Sequence, residues 1–133
     1  MAKKKLWRDD QDEGYYMSVY FRMLDHPAFR SLSEAAIRVL LQCLRKAYGP
    51  GRYERKFKFT YPEAKDKLQL SDHTFRRAMM QLHDKGFINY WSPGGLRNEQ
   101  KVAKEYQLST RWKKWGEPDF IKLADGHYRS IHG

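Results

Sequence analysis

Between Leu68 and Ile88 the sequence reads LQLSDHTFRRAMMQLHDKGFI. Ser71 and Gly86 bracket a helix over residues 72–85, because a serine oxygen accepts the first unpaired amides of a helix and glycine takes the left-handed backbone that ends one. Phe75, Ala78, Met79 and Leu82 recur at the i, i+3, i+4, i+7 spacing of a buried face. His73, Arg77, Met80 and Asp84 then point the opposite way, with Arg76 on the flank. Those residue types suit a base-reading surface. An arginine fork matches guanine O6 and N7, an imidazole donates or accepts at a base edge, and a methionine can cover a thymine methyl. The first amides of the helix, around Ser71 to Thr74, suit a phosphate. The plainer reading is a solvated basic face, so the surrounding elements must decide between the two.

The other reactive side chains form no catalytic or metal-binding set. Cys43 is the single cysteine and lies inside the apolar run IRVLLQCL, so neither an internal disulfide nor a cysteine zinc site can form. The five histidines have no ligand spacing and no adjacent nucleophile. The chain therefore reads as a non-enzyme without cofactor, metal or evident small-molecule ligand. Its 26 Lys and Arg against 16 Asp and Glu give a net charge of +10, which favours a polyanionic partner. Residues 45–114 hold 17 of those cations and 7 of the carboxylates, so the full surplus falls around the helix just described. A membrane partner is disfavoured, because no apolar run approaches the ~20 residues of a spanning helix and the start MAKKKLWRDDQDEG lacks a signal peptide's apolar core. A cytoplasmic, nucleoid-associated protein is expected.

The elements that must position the helix follow from local signals. Residues 1–14 are charged and poor in apolar surface, which predicts a flexible arm. YYMSVYFRMLDHPAF predicts a short helix and turn, with Pro27 breaking any helix begun near Ser18. A helix over 33–48 is capped by Ser31 or Ser33, with Glu34 at capping-box distance from Ser31; Ile37, Leu40, Leu41 and Leu44 form an apolar stripe that Ala36, Val39, Cys43 and Ala47 extend around the helix. Phe57 and Phe59 alternate with lysines as in a half-buried strand. Thr60, Pro62 and Glu63 open a helix to about Lys67, with Ala64 and Leu68 inward. Leu70 fills the turn that follows. FINYWS and VAKEYQLS predict two strands around Ser92-Pro93-Gly94-Gly95, with LRNEQK as an exposed loop. Alternation puts Phe87, Asn89 and Trp91 on one side of the first strand.

The order helix, strand, helix, helix, strand, loop, strand resembles a winged helix-turn-helix domain. EAKDKLQLSDHTFRRAMMQLHDKGFI matches its second helix, turn, recognition helix and first wing strand. More narrowly, HPAFRSLSEAAIRVLLQCL, KGFI and YQLSTRWKKWGEPDF resemble winged-helix proteins of phages, plasmids and mobile elements linked to replication initiation. The resemblance spans about residues 18–120. It implies an α+β fold with a three-helix core, a short strand and a β-hairpin wing over residues 15–116, plus a C-terminal extension over 117–133. It also implies sequence-specific binding of double-stranded DNA, in replication initiation or transcription control. The candidate contacts are Ser71, His73, Thr74, Arg76, Arg77 and Met80 on the recognition helix. On the wing they are Arg97, Lys101 and Lys104, with Asn98 and Gln100 alongside. Homodimerisation and docking to replication proteins stay open.

Two other readings use the same chain. Tyr90, Trp91, Tyr106, Trp112 and Trp115 lie among lysines, the pattern by which single strands are held through stacking, although core packing explains most such rings. Winged helices also serve as protein-docking modules that touch no DNA.

Overall fold

The computed structural model describes residues 14–92, 95–97, 100–102 and 104–123, and for residues 91–102 the course of the backbone alone. The arm over 1–13, the turn residues Pro93 and Gly94, Asn98, and residues 124–133 of the expected extension lie outside the described residues. The fold is α+β. Among the described residues five helices, α1 (Phe21–Asp25), α2 (Pro27–Arg30), α3 (Glu34–Lys46), α4 (Tyr61–Leu68) and α5 (Asp72–Asp84), pack with strands β1 (Lys56–Lys58), β2 (Ile88–Ser92) and β5 (Glu105–Leu108). The strands form one antiparallel sheet in the order β1-β5-β2. A second antiparallel pair, β3 (Gly95–Arg97) and β4 (Gln100–Val102), lies between β2 and β5 in the chain, and a short 3-10 helix spans Arg111–Lys114. No helix among the described residues is long and apolar enough to cross a membrane.

Local chemistry sets the helix boundaries. Pro27 opens a helix as well as ending one: it sits in the first turn of α2, where no amide is needed, and His26 Nδ1 accepts the Ala28 amide at 3.1 Å. Ser33, and not Ser31, caps α3, accepting the Ala36 amide at 3.1 Å. Ser31 ends α2 instead and donates its hydroxyl to the Ala28 carbonyl at 3.0 Å. The buried face of α3 is Ala36, Val39, Leu40, Cys43 and Leu44, while Ile37 is half-buried and Leu41 is exposed. The buried side is thus the part of the expected apolar surface that runs through Ala36, Val39, Leu40, Cys43 and Leu44, and Leu41 falls outside it. α3 packs mainly on α5, and its fully buried Ala36 and Cys43 keep the contact face of the helix small in profile.

The segment that presents α5 is fixed by caps at both ends. The Thr60 hydroxyl and the Glu63 carboxylate satisfy the reciprocal amides of a capping box on α4, and Ala64 and Leu68 face inward as expected. Gln69 takes a left-handed backbone, φ 57°, and Leu70 plugs the turn. Ser71 accepts the Thr74 amide at 3.2 Å. Phe75, Ala78, Met79 and Leu82 are all buried. At the far end Gly86, φ 90°, lies so close to Arg111 and Trp112 that a β-carbon would sit 2.5 Å from the Trp112 amide nitrogen.

One expectation about the strands is corrected. Within the segment expected as the loop LRNEQK, the described residues form a ladder in which Leu96 pairs with Lys101 and Arg97 with Gln100. In β2 Ile88 and Tyr90 are buried and Asn89 between them is half-buried. Phe87 precedes the strand and is buried independently, stacked on Trp112 at 5.8 Å and edge-on to Phe29 at 6.5 Å.

Candidate nucleic-acid interface

The outer face of α5 carries His73, Arg76, Arg77 and Met80, all exposed. Between α5, the start of α4 and the sheet runs an open groove of about 890 Å³. Its apolar floor includes Phe59, Phe75, Met79, Tyr90 and Tyr106, and its rim includes Asp72, Arg76, Met80 and Lys104. Arg76, Met80 and Lys104 are therefore brought to one groove from two segments. His73 and Arg77 are exposed on α5 but do not line it. The helical wheel puts Arg77 on the outer face and Arg76 on its flank, and of the two it is Arg76 that lines the groove.

Arg76 is held by Asp72 one turn earlier, Nε to Oδ1 at 3.2 Å, with both side chains substantially exposed. Such a pair is worth little in water, so the guanidinium can exchange Asp72 for another acceptor at small cost. Lys104 projects its ammonium over the Tyr90 ring at 5.1 Å. Met80 is 52% exposed and lines the groove beside Arg76. Ser71 and Thr74 have an internal role as well. Ser71 Oγ accepts the Thr74 amide and donates to Thr74 Oγ1 at 3.0 Å, so this cap engages one of the amides expected to face a phosphate. Arg97 and Lys101 lie on the paired strands β3 and β4, and their side chains, with that of Gln100, lie outside the described residues.

Arg111 is a structural residue that the sequence does not reveal. Its Nε donates to Asn89 Oδ1 at 2.8 Å, Nη1 to the Ile121 carbonyl at 2.8 Å, and Nη2 to the His83 and Ile88 carbonyls at 2.8 and 3.2 Å. Burial pushes its guanidinium down to about 10, with Asp84 acting in the opposite direction, so it is charged at neutral pH. One side chain thus ties the end of α5 to β2 and to the chain after the 3-10 helix. His83 is also structural: it is buried, stacked on Tyr90 at 4.4 Å, and its Nε2 lies 2.7 Å from the Leu123 carbonyl. Lys85 donates to Ser31 Oγ and lies over the Trp115 ring at 4.3 Å. Partial burial lowers its pKa. These cations counted toward the basic surplus but are committed to the fold.

Other reactive groups are enclosed. Cys43 is fully buried and burial pushes its thiol far up, which removes the thiolate needed of a nucleophile. No cluster of potential metal ligands occurs among the described residues. Tyr90, Tyr106 and Trp112 are buried and Trp115 is half-buried, so the rings expected to stack on single strands are largely occupied by the core. The side chain of Trp91 lies outside the described residues. No protein-family model, curated protein or solved structure matches the chain, and the reading of this surface rests on its geometry and chemistry.

Proposed function

We propose that the chain is a winged helix-turn-helix protein that binds double-stranded DNA, with α5 in the major groove and the β3–β4 hairpin as the wing along the phosphates. The observation that carries this reading is the exposed face of α5, where Arg76 and Met80 share a groove with Lys104 from the sheet side. A tight turn after α4 holds that face away from the core, and a hairpin follows at the distance a wing requires. In this role Arg77 and Arg76 read base edges, His73 contributes a switchable donor or acceptor, and Met80 meets a thymine methyl. Lys104, Arg97 and Lys101 position the duplex through its phosphates. The resemblance to replication-initiation proteins of mobile elements points to an origin or operator as the target.

Selection of bound duplexes from a random pool tests the proposal. An enriched sequence is expected. Arg77→Ala and Arg76→Ala should each weaken binding to it by about 1–3 kcal/mol and relax the base choice at one position. Enrichment of no sequence, together with identical duplex binding by parent and both variants, would remove the proposal in favour of a protein-docking role.

A further inference from the structure

Among the described tyrosines, Tyr61 is half-buried and the others fall into a buried and an exposed group. Tyr90 and Tyr106 are core residues at 5% exposure, whereas Tyr15 is 93%, Tyr16 76% and Tyr20 59% exposed, and Tyr48 and Tyr53 are also open to solvent. The open rings come from distant parts of the chain. Tyr15, Tyr16 and Tyr20 precede α1, Tyr48 follows α3, and Tyr53 lies in the loop before β1. Four of them, Tyr16, Tyr20, Tyr48 and Tyr53, line a cleft of about 560 Å³ together with Arg52, and this cleft shares no residue with the α5 groove. Tyr15 lies against Tyr48 with ring centres 5.8 Å apart.

Arg52 organises the cleft. Its guanidinium lies over the Tyr20 ring at 5.3 Å and over the Tyr53 ring at 5.1 Å. Nη1 donates to the Ser18 carbonyl at 3.1 Å and Nη2 to the Tyr53 hydroxyl at 3.2 Å. No carboxylate pairs with it among the described residues, so its charge is compensated only by dipoles and ring faces. Glu54 also lines the cleft but forms no ion pair with Arg52 among the described residues. Exposed rings around an arginine without a carboxylate partner match the recognition of unpaired bases, in which every base offers a π-face and the backbone supplies the anion. A second copy of the chain is a poor occupant, because a symmetric contact would set Arg52 of each copy against the other in a protein of net charge +10.

We propose that this tyrosine cleft is a second nucleic-acid site that binds single strands, with bases stacked on Tyr16, Tyr20, Tyr48 and Tyr53 and the backbone drawn to Arg52. It stands independently of duplex recognition by α5. In replication initiation the two sites would let one molecule hold a duplex and the strand opened beside it.

Fluorescence anisotropy of a labelled oligothymidylate of about 15 nucleotides tests the site. Tyr20→Ala and Tyr48→Ala should each weaken single-strand binding about tenfold. Tyr20→Phe and Tyr48→Phe should bind like the parent, since stacking uses the ring and not the hydroxyl. All four variants should melt as cooperatively as the parent and keep its duplex affinity. The proposal is overturned if the alanine variants bind the strand like the parent, or if the phenylalanine variants lose as much as the alanine ones. It is also overturned if sedimentation reveals a dimer of the parent that the alanine variants abolish, which would assign the face to a second copy. Duplex selection has a separate readout, so either site can fail without the other.

Discussion

A single guanidinium at position 111 closes gaps that three different segments leave open, and its removal strands more than itself. Arg111→Ala would remove the guanidinium donor from Asn89 Oδ1 and the Ile88 carbonyl at partly buried positions, and would also break its bonds to the His83 carbonyl, which keeps the Gly86 amide, and to the exposed Ile121 carbonyl. Unsatisfied acceptors of this kind cost more than the bonds were worth, so a loss of about 2–4 kcal/mol is expected in urea denaturation. Arg111→Lys should recover only part of it, because an ammonium lacks the planar fork that reaches several acceptors at once. Equal stability of all three proteins would mean that water replaces the guanidinium without cost. The residue was illegible in the sequence for a definite reason. Its partners are mainly backbone carbonyls, which carry no side-chain signature, and RWKK reads as one more basic run. By contrast Arg76 and Met80 were legible because a helix with a clear apolar stripe exposes its remaining positions by simple periodicity.

The elements that were easiest to read are those whose ends are written within four residues. Thr60 and Glu63 announce α4, Ser71 announces α5, and Gly86 stops it, since each acts on amides of its own turn. The β3–β4 ladder was missed because LRNEQK has no apolar alternation to mark it, and which side of the broad apolar surface of α3 is buried was not legible because its packing partner α5 is distant in sequence. Two predictions belong at this scale. Burial alone would raise the pKa of Glu63, but the hydrogen bond and charge of Lys46, the Thr60 amide and the charge of Lys67 outweigh it and hold the carboxyl below its ordinary 4.5. The unfolded chain therefore takes up this proton first, and the stabilisation present above pH 4.5 is lost as pH falls through the lower folded value. Glu63→Gln should accordingly show a shallower loss of stability in acid than the parent, and parallel acid profiles would show that the carboxylate contributes nothing there. Gly86→Ala tests the other end. A positive φ strains any β-carbon, and here the carbon would also meet backbone of the 3-10 helix. A loss of about 2–4 kcal/mol is expected from thermal and urea melts, larger than at a glycine in open space such as Gly116.

Across the whole molecule the net charge of +10 is not a uniform coat. Arg111 is held by four hydrogen-bond acceptors, Lys85 donates to Ser31 and lies over Trp115, Lys46 is paired with Glu63 over the Phe59 ring, and Arg52 lies among tyrosines, whereas Lys104 and Arg77 are open to solvent. Only cations that replace condensed counterions on a duplex contribute to the salt dependence of binding, each phosphate contact adding about 0.9 to the slope of log affinity against log salt. Duplex affinity should therefore fall steeply with salt, but by a slope well below the formal charge. Lys104→Ala should reduce that slope by about one and weaken preferred and random duplexes alike, because a phosphate contact carries no base information. Arg111→Lys, measured well below its melting temperature, should leave the slope unchanged, since its charge is enclosed by carbonyls and never meets solvent counterions in the same way. Titrations at several salt concentrations decide the matter. A Lys104→Ala variant with the parent's slope but an altered base preference would move base reading from α5 to the sheet side, and an unaltered slope in both variants would place the phosphate path on another face of the molecule.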